Sequence, residues 1–411
     1  MPPALLETAH ATVAIGDCRK ILVLLPENSV DAIVTDPPYG LEFMGKEWDH
    51  GTPGVPFWLA ALRVLKPGGH LLAFGGTRTF HRLTCALEDA GFEIRDTLSW
   101  LYGQGFPKSY NVAQSIEKVL TTGKARRPDV DLGARTRNRW SGDAGGTLIR
   151  DTGGQIALTT DAARQWEGWG TALKPAWEPI VLARKPLSEP TVAANVLRWG
   201  TGGLNIDATR ITVDPVTDAP QLRTMKRSQR TTDMSGQTWG LSKKDGDEPQ
   251  VIRPEGRWPA NVVLDEEAAA MLDAQSGERT SGYMKPGQQR RTTLGAGGYH
   301  GNMPDEATAA GTYGDSGGAS RFFYCSKASR TERDAGLEDH NSHPTVKPVT
   351  LMRWLVRLVT PPGGTVLDPF CGSGTTLIAA VLEGMETIGI ELVEEYCQTA
   401  MDRLRYWETQ L

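Results

Sequence analysis

Two short stretches carry residue types and spacing that suit chemistry. The first is Asp36-Pro37-Pro38-Tyr39-Gly40, which follows the apolar run Val30 to Thr35. Two prolines stiffen the turn and remove two N–H donors. What remains is acceptors, the Asp36 carboxylate and the Pro37 carbonyl, beside the flat face of Tyr39. That set suits holding an exocyclic amino group by its two hydrogens while its aromatic ring stacks. Acceptors on both hydrogens draw the nitrogen toward tetrahedral geometry and free its lone pair. The same residues read equally well as a rigid turn with a packed tyrosine.

The second stretch is Thr365 to Asp368 running into Phe370-Cys371-Gly372-Ser373-Gly374-Thr375-Thr376. It reads as strand, glycine turn and helix start. Glycines there let a ligand approach the backbone, and the helix start offers free N–H groups at a positive dipole end. Glu391 closes the next strand, 19 residues past Gly372, where a carboxylate can accept both ribose hydroxyls of a nucleoside. A plain strand–helix turn has the same appearance. No Gly-Lys-Ser/Thr follows, which excludes a triphosphate loop of the Walker type.

The elements that must position these residues alternate. Strands are expected at Thr12 to Gly16, Val30 to Thr35, His70 to Phe74 and Ile94 to Tyr102. Helices are expected at 18–25, 57–65 and 79–90, the second stopped by Lys66-Pro67-Gly68-Gly69. One more strand is read at Pro179 to Ala183. At the C-terminal end, a helix at Val349 to Val359 precedes strand 365–367, a helix from Leu377, strand 386–391 and a helix at 394–407. Such alternation argues for a doubly wound α/β sheet, built from both ends of the chain around a large insertion. Residues 121–170 and 188–320 read as polar and irregular, and 277–318 alone holds 11 glycines.

The chain has 411 residues, 39% hydrophobic and 23% charged, with a formal net charge of −5. This is ordinary globular usage, and it excludes collagen-like, coiled-coil and wholly disordered classes. No apolar run approaches the roughly 18 residues of a membrane helix, and Met1-Pro2-Pro3-Ala4 does not open a signal peptide. Five single cysteines make neither a disulfide framework nor a metal site, so a reducing cytoplasm is the expected setting. Residues 124–340 hold 29 Lys and Arg against 28 Asp and Glu, so the acidic excess lies in the rest of the chain. Basic clusters at Arg126, Arg127, Arg135, Arg137 and Arg139, and at Arg223, Lys226, Arg227 and Arg230, suit phosphate contacts. Gly105 to Ser109 follows a core strand and is a candidate backbone or base contact. Trp199, Trp239 and Trp258 read as packing anchors.

Together, Asp36-Pro37-Pro38-Tyr39 and Asp368 to Gly374 resemble the amino-methyltransferases of DNA, which move a methyl group from S-adenosylmethionine to an exocyclic amine of adenine or cytosine. The tetrad precedes the cofactor loop, an order similar to the beta-class, permuted members. His343-Pro344-Thr345-Val346-Lys347-Pro348 resembles the motif lining the methionine end of the cofactor. Gly16-Asp17 resembles the motif whose acidic side chain holds the cofactor adenine amino group. The resemblance covers roughly 1–120, 171–187 and 321–411.

It implies a Rossmann-like, circularly permuted core: a catalytic half at 1–120, a core strand in 171–187 and a cofactor-binding half at 321–411. The insertion 121–170 becomes a DNA-contacting candidate and 188–320 the target-recognition region. Asp36, Pro37, Pro38 and Tyr39 become the catalytic set. Asp17, His343, Thr345, Lys347, Asp368, Phe370, Cys371, Gly372, Ser373, Gly374, Thr375, Thr376 and Glu391 become the cofactor set. Duplex DNA is the implied partner, with the target base flipped out. Asp at the first tetrad position leans toward adenine N6 and leaves cytosine N4 as the alternative. Methyl transfer is direct, since no cysteine follows a proline as carbon-5 chemistry would need. An inactive DNA-binding partner subunit is the non-enzyme alternative. Homodimers occur in this class, and the sequence leaves open a solitary methylase, a phage enzyme or half of a restriction system with a separate endonuclease.

Overall fold

Val30 to Thr35 shows no polar alternation, as a strand covered on both faces should not, and all six residues are buried. The computed structural model describes residues 3–41, 51–103, 105, 109–123, 157–212, 256–280, 316–327, 330–343 and 345–411. The chain divides into two compact units, one of residues 1–209, 260–269 and 324–411, the other of 210–259 and 270–323.

The chain begins with β1 (Ala4–Glu7), β2 (Ala11–Ile15), α1 (Cys18–Ile21) and β3 (Val30–Thr35). Next come α2 (Val55–Val64), β4 (Leu65–Phe74), α3 (Phe80–Asp89), β5 (Glu93–Leu101) and α4 (Val112–Thr122). The middle holds α5 (Asp161–Arg164), β6 (Trp177–Arg184), α6 (Val192–Trp199), β7 (Val262–Asp265) and α7 (Glu266–Ser276). The short β8 (Arg279–Thr280), β9 (Ser316–Gly317), β10 (Tyr324–Ser326) and α8 (Arg330–Asp334) follow. The last segment gives α9 (Val349–Val359), β11 (Thr365–Asp368), α10 (Thr375–Leu382), β12 (Glu386–Glu391) and α11 (Glu394–Glu408).

In the first unit, ten strands make one sheet in the order β1-β2-β12-β11-β3-β4-β6-β5-β7-β10. Strands β2, β12, β11, β3 and β4 are parallel neighbours, while β6 runs antiparallel between β4 and β5. Side chains alternate faces along a strand, and the alternation builds a core on each face. Ile33, Leu71, Ala73, Val181 and Leu367 pack with α2 and α3 on one face. Ala32, Val34, Leu72, Phe74, Ile180 and Val366 pack with α9 on the other. The result is the expected Rossmann-like α/β architecture, assembled from both ends of the chain.

In the second unit, Ile211 and Arg257 exchange backbone hydrogen bonds at 3.0 and 2.9 Å. The Asp273 carboxylate accepts from Ser320 N at 2.8 Å and Ser320 Oγ at 2.7 Å, and β8 pairs with β9.

Several expectations need correction. Lys66-Pro67-Gly68-Gly69 does not end the helix in a turn. It opens β4, bulged against β3 between Val30 and Ala32. Tertiary partners explain this, since the Pro67 carbonyl accepts from Asn195 Nδ2 at 2.8 Å and Thr201 Oγ1 at 2.6 Å. The segment 188–320 is not irregular throughout, for it supplies α6 and α7, and its four-residue β7 joins the main sheet beside β5. Residues 22–24 continue α1 as a 3-10 turn. Trp258 is 66% exposed, with Arg210 over its ring, and is no packing anchor. The basic clusters, Trp239, Phe106, Pro107, Lys108 and Pro344 lie outside the described residues.

Candidate functional site

The carboxyl ends of β2, β12, β11, β3 and β4 lie along one rim of the sheet. Strand order turns there, with β12 and β2 to one side of β11 and β3 and β4 to the other. Open α/β sheets offer a crevice at such a switch point. A cavity of about 530 Å³ occupies it, within the range of small-molecule sites. Every residue of the expected catalytic and cofactor sets lines it except Pro37, Tyr39 and Gly374.

One wall is the turn after β11. The Asp368 carboxylate ends that strand and accepts from Thr35 Oγ1 at 2.7 Å and Phe370 N at 3.1 Å. Burial outweighs these bonds and raises its pKa to about 6. Gly372 sits at φ +50°, and a Cβ there would lie 2.7 Å from His343 Nε2. Glycine is required on both counts. The Gly372 N–H donates to Glu391 Oε2 at 2.9 Å, and Val393 N donates to Oε1 at 2.9 Å. Both Glu391 oxygens retain lone pairs. Gly374, at φ +79°, caps α10 and would meet Ala400 Cβ at 2.9 Å. Its place is in helix packing, behind the wall. Cys371 is buried, its thiol pushed up by burial, and its Sγ lies 2.9 Å from where a Gly389 Cβ would stand.

Two residues brace this wall that sequence reasoning did not single out. Arg403, fully buried on α11, donates to Ser373 O at 2.6 Å, Ser373 Oγ at 3.1 Å and Thr375 Oγ1 at 3.2 Å. Tyr396 packs edge-on against His343, ring centroids 4.7 Å apart. Burial pulls the His343 pKa down to about 4 and so keeps the ring neutral. At the far end, Asp17 caps α1 and accepts from Arg19 N at 3.0 Å and Arg19 Nη2 at 2.7 Å.

The opposite wall is the tetrad after β3. Tyr39 packs on Gly76, where a Cβ would come within 3.2 Å of Tyr39 Cδ2. The Tyr39 hydroxyl lies 2.8 Å from Asp36 Oδ1 and 3.1 Å from Glu178 Oε2. Lys347 does not reach toward the glycine turn. Its Nζ is 3.0 Å from Asp36 Oδ2 and 2.9 Å from Glu178 Oε2. Burial lowers the Lys347 pKa, but the two carboxylates outweigh it and hold the ammonium above its ordinary value. Glu178 was not singled out from sequence, because a lone Glu in a strand carries no local mark. Its partners are 139 and 169 residues away.

Asp17, Asp36, Asp368 and Glu391 bring more negative than positive charge to the cavity, where Arg19 and Lys347 are the cations. The charge balance of the cavity suits a cationic ligand, and Phe57 and Phe370, ring centroids 5.0 Å apart, add an apolar patch to its lining. No group of metal-ligating side chains occurs among the described residues, and no described helix is long and apolar enough to cross a membrane.

Fold and cavity define a Rossmann-like α/β protein with a ligand-sized pocket at its switch point. Comparison with known proteins makes this specific. A family model described as DNA methylase, that of the N6/N4 methylases, matches residues 30–402, and the chain belongs to this family. Its cofactor is S-adenosylmethionine, the family's methyl donor. The DNA adenine methyltransferase YhdJ of Escherichia coli is 40% identical over 68 residues, 16% of this chain and 23% of its own. The type II methyltransferase M.HindIII of Haemophilus influenzae is 25% identical over 226 residues, 44% of this chain and 60% of its own. The match thus spans less than two thirds of either relative's length. The solved cytosine-N4-specific PvuII DNA methyltransferase aligns with 96% of this chain and 86% of its own at 14% identity, with a TM-score of 0.42.

Proposed function

We propose that the chain methylates the N6 amino group of adenine in duplex DNA. The observation that carries this reading is the facing of two walls. The Asp36 carboxylate and the glycine turn of Gly372 bound one ligand-sized cavity. Asp as the first residue of the tetrad favours adenine over cytosine.

In this reading Gly372, Ser373, His343 and Phe370 hold the body of the cofactor, Glu391 accepts its ribose hydroxyls and Asp17 its adenine amine. Bound S-adenosylmethionine supplies an electrophilic methyl group. The chain's own residues do the rest by placement, which is the larger part of catalysis for a reactive donor. Tyr39 offers its ring to the extruded base. Asp36 and the Pro37 carbonyl accept the two amine hydrogens and aim the nitrogen lone pair across the cavity. With the donor bound, the amine nitrogen so held would take the methyl group, the electron pair of the broken S–C bond leaving with sulfur. The nitrogen then gives up one proton to Asp36, from which solvent takes it.

The test is methyl transfer from labelled S-adenosylmethionine to mixed-sequence duplex DNA, with the digested nucleosides identified by mass spectrometry. N6-methyladenine is expected. N4-methylcytosine would overturn the reading of Asp36 and keep the mechanism. Unmodified DNA from a preparation that binds the cofactor would overturn the proposal.

A further inference from the structure

At the tetrad, four polar groups from three separate stretches of chain close into one cluster. Lys347 Nζ stands 3.0 Å from Asp36 Oδ2, 2.9 Å from Glu178 Oε2 and 3.2 Å from the Tyr39 hydroxyl. Those three partners use all three ammonium protons. The rings of Phe74, Tyr39 and Trp100 surround the nitrogen, with centroids 4.8, 5.6 and 5.9 Å away. The Lys347 side chain is only 10% exposed, so water does little to screen it.

The charges in this enclosure decide its chemistry. Two carboxylates and one ammonium leave a single net negative charge. Had Asp36 been the sole carboxylate on Lys347, the pair would be neutral. An amine becoming cationic beside it would then meet no net attraction. Glu178 changes that balance, since it sits as close to Lys347 as Asp36 does. The ammonium is matched by Glu178, and the Asp36 charge is left over.

We infer that Glu178 is a positioning residue for methyl transfer: it holds Lys347 and offsets its charge, so that Asp36 meets the target amine with a full negative charge. This rests on the function proposed above. Glu178 does not line the cavity. It acts through Lys347 and through the Tyr39 hydroxyl, which it shares with Asp36. Lys347 keeps the two carboxylates from repelling one another while the site is empty of DNA.

The experiment is a charge-balance cycle on the full chain. Steady-state methylation of duplex DNA is measured for wild type, Glu178→Gln, Lys347→Met and the double variant. Folding is checked by thermal melting and by titration with S-adenosylmethionine. Glu178→Gln keeps the shape but brings the cluster to neutrality. Its kcat should fall roughly tenfold to a hundredfold, the scale of one lost electrostatic group in an active site, with the KM for the donor within about twofold. The double variant removes one charge of each sign and restores the single net negative charge. It should turn over faster than Glu178→Gln alone, a recovery that a purely structural salt bridge does not give. The inference fails if Glu178→Gln keeps wild-type kcat, or if the double variant is as slow as the product of the two single losses. Should Glu178→Gln not fold, the double variant decides alone, since it strands no ammonium: folded and active supports the inference, folded and inactive overturns it. If wild type itself leaves DNA unmethylated, the proposed function has failed first. If wild type is active and Glu178→Gln is unimpaired, only this inference has failed.

Discussion

At the scale of single residues, Asp36 and Gly372 face each other across the cavity and answer to different tests. In the proposed reaction Asp36 is an acceptor for the amine and does little to hold the cofactor. Asp36→Ala should lower methyl transfer by about a hundredfold or more, with S-adenosylmethionine affinity near wild type by calorimetry. Gly372→Val should do the reverse. Its Cβ would stand 2.7 Å from His343 Nε2 at a φ of +50°, so the turn must shift, and cofactor binding is expected to disappear in the same titration. A Gly372→Val protein that still bound the cofactor at wild-type strength would remove the turn from the site. Both residues were legible in the sequence because each stands in a compact motif of rare residues. Glu178 and Arg403 were not, because each is an ordinary charged residue whose partners come from distant parts of the chain.

At the scale of elements, α11 does more than cover the sheet. Through Arg403 it grips the Ser373 carbonyl at 2.6 Å and ties the cofactor turn to Glu332 O at 3.2 Å. Burial lowers the Arg403 pKa to about 10, which leaves it charged. Arg403→Met fills similar space but orphans a buried carbonyl, at a cost of about 1–3 kcal/mol. Thermal melting should show that loss, and cofactor affinity should fall with it as Ser373 relaxes. Unchanged melting and affinity would mean the brace is redundant. Strands buried on both faces, such as β3 and β11, could be read from their apolar runs, and α9 from its amphipathic spacing. The opening of β4 could not. A Lys-Pro-Gly-Gly stretch favours a turn locally, and it becomes strand only because Asn195 and Thr201 bond the Pro67 carbonyl. Strand β7 was missed because four residues give no period to count.

At the scale of the molecule, folding stability should depend on acid through two histidines, His70, which is buried, and His343, which is half-buried. Burial, with Arg184 and Arg95 adding to it, pulls the His70 pKa from 6.5 to about 4. Burial of His343 does the same, also to about 4. Each ring is neutral in the fold and takes up a proton when the chain unfolds. The unfolded state therefore binds more protons below pH 6.5, and stability falls as pH drops from there toward 4. Asp368, raised to about 6, works in the opposite direction over the lower part of that window. The clean readout is a difference: the gap in melting temperature between wild type and His70→Gln should narrow as pH falls from 7 to 4. A constant gap would show that His70 does not titrate with unfolding. The order of strands has one more consequence, for synthesis. Asp36 ends β3, whose neighbour β11 begins at Thr365 and pairs with it through Val366 and Ala32. As the ribosome delivers the chain, the tetrad strand emerges early with an open edge and waits through more than three hundred residues for its partner. A message broken between Tyr39 and Thr365 yields a product that has the tetrad but lacks β11 and the glycine turn after it, so the cavity is never assembled.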